Sequence, residues 1–137
     1  RFARVQLRRR ATESYDTSIA RMYGEVLSAI SESSVGKGEA QVLLPMPAWE
    51  GNETHRTFLV VLWGDVQPRD LVVVNLAPHP AQCRVRLDIP DAVWVLRDRL
   101  GNEMWERSGS SMRSEGLYLA LMPRGAQIFA LSALAEA

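Results

Sequence analysis

The chain has 137 residues with 16 basic and 16 acidic side chains, a length that suits one domain around one core and a charge balance that exerts no global pull toward nucleic acid or an anionic membrane. Apolar residues at 47% and charged residues at 23% place it in the globular class, and no run approaches the roughly 18–20 apolar residues that span a bilayer. Cys83 is the only cysteine; an internal disulfide framework and a zinc site built from several thiolates are therefore excluded. That usage suits a reducing compartment, so the expected location is cytoplasmic.

The chain opens on a basic arm. Arg1, Arg4, Arg8, Arg9 and Arg10 stand against Glu13 alone. No apolar h-region follows, so the arm is not a signal peptide. Because the first residue is arginine and not methionine, the expectation is that the natural start lies upstream. A solvated tail, or a segment whose acidic partner lies elsewhere, is the preferred reading of the arm. The sharper alternative is contact with RNA phosphates.

Asp16, Thr17 and Ser18 then offer N-cap oxygens. Ile19, Met22, Tyr23, Val26, Leu27 and Ile30 fall at helical spacing and form one wide apolar stripe, with Arg21, Glu25, Ser28 and Glu32 opposite. The spacing predicts a helix over 17–32, stopped by the serines before Gly36 and Gly38. It is the only helix the pattern supports.

From Gln41 the period changes to two, or to short solid runs. Gln41–Leu44 reads as a short strand stopped by Pro45 and Pro47. Thr57–Trp63 and Leu71–Leu76 are nearly continuous apolar runs, the mark of strands buried on both faces, and the turn residues between them predict a hairpin. Gln82–Ile89 alternates, with Cys83, Val85, Leu87 and Ile89 inward. Val93–Arg97, an edge strand at Met104–Arg107, Gly116–Leu121 and Gln127–Leu131 follow, and residues 132–137 are expected to fray. About seven or eight short strands with frequent turns predict a mainly β protein: an antiparallel Greek-key β-sandwich preceded by one α-helix. The boundary between unlike pieces falls near Gly36–Gly38.

Chemistry is sparse in this pattern. Glycoside hydrolysis needs two carboxyl groups across the scissile bond, whereas Asp65, Asp70, Asp88, Asp91 and Asp98 all flank strands and read as turn formers. His55 and His79 have no histidine or cysteine at ligand spacing, so no metal site is expected. No phosphate loop and no cofactor motif follows a strand. Asn52-Glu53-Thr54 matches a glycosylation sequon, which matters only in a secreted eukaryotic protein. Cys83 reads as a core thiol. Of the tryptophans, Trp63 and Trp94 read as core, while Trp49 and Trp105 lie nearer loops; Trp49 is the first candidate for stacking on a sugar ring.

Several segments, taken in order, resemble the C-terminal region of the α-amylase family of glycoside hydrolases, the family 13 clan. They are the helix at Ile19–Ile30, Trp49-Glu50-Gly51-Asn52-Glu53-Thr54-His55, Leu71-Val72-Val73-Val74-Asn75-Leu76, Gln82-Cys83, Leu96-Arg97-Asp98-Arg99-Leu100-Gly101, Gly116-Leu117-Tyr118-Leu119-Ala120-Leu121 and Ala126-Gln127-Ile128-Phe129. The resemblance runs from about Leu7 to Leu131. It implies that residues 1–35 are the basic arm and the last helix of a (β/α)8 barrel, and that residues 36–137 are the β-sandwich beside it. The catalytic residues of such barrels lie at strand ends, and the family's carboxylates would lie upstream, so no catalytic residue is assigned in this chain. The expected role is a non-catalytic stabilising domain of an enzyme acting on α-glucosidic substrates, with the barrel of the same chain as its partner. An alternative is a carbohydrate-binding module for α-glucans, with Trp49, Asn52 and His55 as contacts. A second alternative uses the arginine arm to bind a partner or nucleic acid. A homodimer of the fragment is a further expectation, because the helix stripe needs cover. No cofactor, metal or membrane partner is expected.

Overall fold

A computed structural model of the chain describes residues 21, 24, 25, 28–36, 38–64 and 69–134. The arginine arm, the N-cap at 16–18, the stripe positions 19, 22, 23, 26 and 27, and Asp65 and Pro68 of the hairpin turn lie outside the described residues.

The sandwich is built from nine strands among the described residues: β1 (Ala40–Leu43), β2 (Met46–Pro47), β3 (Phe58–Trp63), β4 (Arg69–Asn75), β5 (Ala81–Val85), β6 (Val93–Asp98), β7 (Met104–Ser108), β8 (Leu117–Leu121) and β9 (Ala126–Ala133). The larger sheet has the order β1-β3-β4-β9-β6-β7 and the smaller one β2-β5-β8. Every pairing is antiparallel. The chain passes repeatedly between sheets, and β9, reached from β8 across the short turn 122–125, lies between β4 and β6, so that strands distant in sequence become neighbours as in a Greek key.

The core follows from strand period. Phe58, Val60 and Leu62 alternate inward on β3, Leu71 and Val73 on β4, and Phe129 and Leu131 on β9; they meet Cys83, Val85, Leu117 and Leu119 of the smaller sheet. Trp94 closes one end, fully packed with its indole N–H donated to the Pro90 carbonyl at 3.0 Å.

Several expectations about the elements need correction. Pro47 does not simply stop a strand: it lies in β2, where a residue without an N–H is tolerated because β2 is an edge. The ladder of β5 ends at Val85, short of Ile89. Leu87 and Ile89 still point into the core, but the Leu87 amide donates to the Met112 carbonyl at 3.1 Å instead of to a strand. That carbonyl belongs to a second helix, Gly109–Ser114, capped by Ser108 Oγ accepting from the Ser111 amide at 2.9 Å; a helix of six residues is too short to show a period. Finally, β9 does not fray after Leu131 but continues to Ala133, held by pairing with Trp94 and Val95.

The larger sheet carries the end of the first helix on its outer side. Residues 28–31 are helical, Ala29 is buried, and Gly36 with φ +81° ends the turn that follows. Ser34 then donates from its amide (2.8 Å) and its hydroxyl (2.7 Å) to Asp70 Oδ2, while Arg99 Nε donates to Asp70 Oδ1 at 2.6 Å. Asp70 is 0% exposed. It begins a central strand and is not a turn former, which corrects its reading from sequence; Asp98 is buried too. Trp63 is likewise not core: it pairs with Asp70 and is half-buried on the outer side. Among the described residues no helix is long and apolar enough to cross a membrane.

Candidate functional site

The three candidate sugar contacts lie on one connection, between β2 and β3. Gly51, at φ +90°, allows the tight turn in which the Asn52 amide reaches the Trp49 carbonyl at 3.1 Å. Trp49 projects from this turn and is 54% exposed. Asn52 turns the other way and is buried. Its Oδ1 accepts from the Thr54 amide (2.8 Å) and hydroxyl (2.7 Å), and its Nδ2 donates to Gln82 Oε1 at 2.9 Å. The Gln82 amide in turn donates to Thr54 Oγ1 at 2.9 Å. Asn52 thus pins the loop to β5, an Asx-type role.

His55 sits in the 3-10 turn Thr54–Thr57 that follows. Its ring borders an open depression of about 570 Å³ shared with Leu44, Pro45, Arg56 and Phe58, and its Nδ1 is buried with no hydrogen-bond partner among the described residues. Trp49 is not among the described residues lining that depression. The structure therefore brings His55 to an apolar hollow and Trp49 to the surface of the same loop, and directs Asn52 inward.

Asn75 engages both polar atoms of its side-chain amide in four hydrogen bonds. It is fully buried at the end of β4. Its Oδ1 accepts from Thr57 Oγ1 (2.7 Å) and the Ala77 amide (3.1 Å); its Nδ2 donates to the carbonyls of His79 (2.8 Å) and Met122 (3.0 Å). One side chain ties together the 3-10 turn, the loop after β4 and the β8–β9 turn. Asp98 plays a similar part after β6, accepting from the Leu100 amide at 3.0 Å and from Gln127 Nε2 at 3.3 Å. Both buried carboxylates, Asp70 and Asp98, thus have internal donors, and no group of three or more His, Cys, Asp or Glu among the described residues is placed to hold a metal ion.

The remaining indole and thiol have structural settings. Trp105, on the edge strand β7, stacks at 4.9 Å on Phe129 with the Arg107 guanidinium 5.1 Å above it. Burial pushes the free Cys83 thiol up to about 12. A second exposed aromatic, Tyr118 on β8, carries the Arg84 guanidinium at 5.6 Å; alternation in that strand assigns Tyr118 only to a wet face, and the cation above its ring comes from the neighbouring strand β5.

The fold and these contacts define an antiparallel β-sandwich whose motif asparagines and aspartates fasten its loops. No family model matches the chain, and no curated protein matches it.

Proposed function

We propose that this chain is a non-catalytic, stabilising β-domain of a larger α-amylase-type glycoside hydrolase acting on α-glucosidic substrates, working beside a (β/α)8 barrel of the same protein. The observation that carries this reading is the direction of the polar side chains in the segments that resemble the family. Asn52, Asn75, Gln82 and Asp98 all hydrogen-bond within the sandwich. Catalytic groups converge on a cleft, whereas these residues hold loops in place, as a domain needs when its task is to present a rigid surface. A cytoplasmic setting fits a free, buried Cys83.

One observation favours a second reading, an α-glucan-binding module. Trp49 is a large exposed indole on the same loop as His55, and exposed indoles stack on sugar rings. Calorimetric titration with maltooligosaccharides separates the two. The stabilising role expects no heat beyond dilution for the chain or for Trp49→Ala, and no sugar released from the oligosaccharide. Heat that disappears in Trp49→Ala would move the assignment to the binding module, and released sugar would overturn the non-catalytic role. The coding sequence upstream of Arg1 tests the parent: a barrel with paired carboxylates is expected, and any other domain there removes the glycosidase assignment.

A further inference from the structure

The larger sheet has two apolar faces, and only one of them is the sandwich core. Antiparallel register places Val61 and Trp63 of β3, Val72 and Val74 of β4, Ile128 of β9 and Val95 of β6 on the other. In a two-layer sandwich that face would be wet and polar. Here Ile128 is only 3% exposed and the valines are half-buried, while Val42 and Val93 toward the flanks are exposed. The carboxylate at one end of this face, Asp70 near the start of β4, is neutralised by Arg99.

Two further observations identify the cover. The end of the first helix is already docked there: Ala29 is buried, and Ser34 grips Asp70 through both its amide and its hydroxyl. The orientation of that helix is also recorded by its described residues. Arg21, Gly24, Glu25, Ser28 and Glu32 are all exposed, and at about 100° per residue they share one side of a helix. In the sequence pattern the Met, Tyr, Val, Leu and Ile at 22, 23, 26, 27 and 30 fall on the opposite side; of these only Ile30 is a described residue, and it is half-buried.

We infer that the outer face of the larger sheet is the docking surface for the apolar stripe of the chain's own first helix, making the unit three layers deep: helix, sheet, sheet. The surface then needs neither a second copy of the chain nor a separate domain to cover it. Its observations do not depend on the glycosidase reading, but it assigns to the sandwich a helix that the family resemblance gives to the barrel.

Hydrogen exchange of the full chain, read by mass spectrometry at several protein concentrations alongside light scattering, tests it. A monomer is expected whose amides at 21–31 are protected independently of concentration. Val72→Asp, on the outer face, should lower that protection by about tenfold or more while β5 and β8 stay protected; Val42→Asp, on the exposed flank, should leave it unchanged. Should Val72→Asp also release β8, Val26→Asp on the helix decides instead: it should free residues 21–31 and raise binding of an apolar dye, with the sandwich intact. Unprotected amides at 21–31 in the parent chain, protection that appears only with dimerisation, or a Val26→Asp chain with unchanged exchange and dye binding would each overturn the inference.

Discussion

Arg99 and Asp70 form an ion pair at 2.6 Å in which the carboxylate is fully buried and the arginine side chain is 13% exposed. The pair joins the turn after β6 to the start of β4, and Ser34 adds the helix end to the same carboxylate. Removing one partner of such a pair strands the other charge away from water. Arg99→Ala is therefore expected to lower unfolding free energy by about 3–5 kcal/mol. The double variant Arg99→Ala/Asp70→Ala should lose less than the sum of the two single changes, because no uncompensated charge remains. Urea unfolding followed by circular dichroism measures both.

Asn75 is the second fastening. Asn75→Ala leaves the Thr57 hydroxyl, the Ala77 amide and the carbonyls of His79 and Met122 without this side chain. The Thr57 hydroxyl keeps the Thr54 carbonyl and the Met122 carbonyl keeps the Gly125 amide; the Ala77 amide and the His79 carbonyl lose this partner, and at about 1–3 kcal/mol for each buried group left unpaired a net loss of about 3 kcal/mol is expected. Asn75→Asp should also destabilise, since a carboxylate cannot donate to the His79 and Met122 carbonyls. Thermal unfolding of both variants checks this, and recovery of wild-type stability in the aspartate variant would contradict the donor role.

Gly109 opens the second helix against the turn before β6. Its amide donates to the Ala92 carbonyl at 2.7 Å, and a Cβ at this position would lie 2.1 Å from the Pro90 carbonyl oxygen. The clash is with backbone, which cannot rotate away as a side chain can. Gly109→Ala should thus destabilise by about 3 kcal/mol, the upper part of the ordinary range for overpacking. Gly51→Ala, at a site with no atom near the added methyl but at φ +90°, should cost about 1 kcal/mol from backbone strain alone. Chemical denaturation of the pair ranks the two effects.

Cys83 sets an alkaline limit. Its ordinary pKa of 9.0 is raised to about 12 by burial, so the folded chain keeps the proton after the unfolded chain has lost it. Folding stabilises the protonated thiol, and that contribution is complete below pH 9 and is lost as pH rises from about 9 toward 12. Stability should decline through that window with a slope of at most about 1.4 kcal/mol per pH unit from this group, and the decline should be smaller in Cys83→Ala. At pH 8 a thiol reagent should label Cys83 only at the rate of opening.

Much of the sandwich was legible from period and composition. The valine runs of β3 and β4 and the alternation around Cys83 and Leu119 state their own strand character, since a side chain's face is decided by its parity along the strand. The boundaries that failed were those decided by a distant partner. β5 ends at Val85 because the carbonyl of Met112 takes the Leu87 amide, and β9 runs on to Ala133 because Trp94 is beside it. The candidate contacts divided for the same reason: Trp49 is exposed and His55 borders a hollow, but Asn52 is committed to Gln82, thirty positions away.

By itself the sequence determined that this is a mainly β chain with one amphipathic helix ahead of it, one buried thiol and few groups suited to chemistry, because hydrophobic period and residue inventory are local properties. Tertiary structure decided what the polar motif residues do. Asp70 looks like a turn former until Arg99 and Ser34 are placed against it, and Asn75 looks like the end of a strand until three loops converge on its amide. A hydrogen bond depends on the positions of both partners, and for these residues the partners come from strands and loops that only folding brings together.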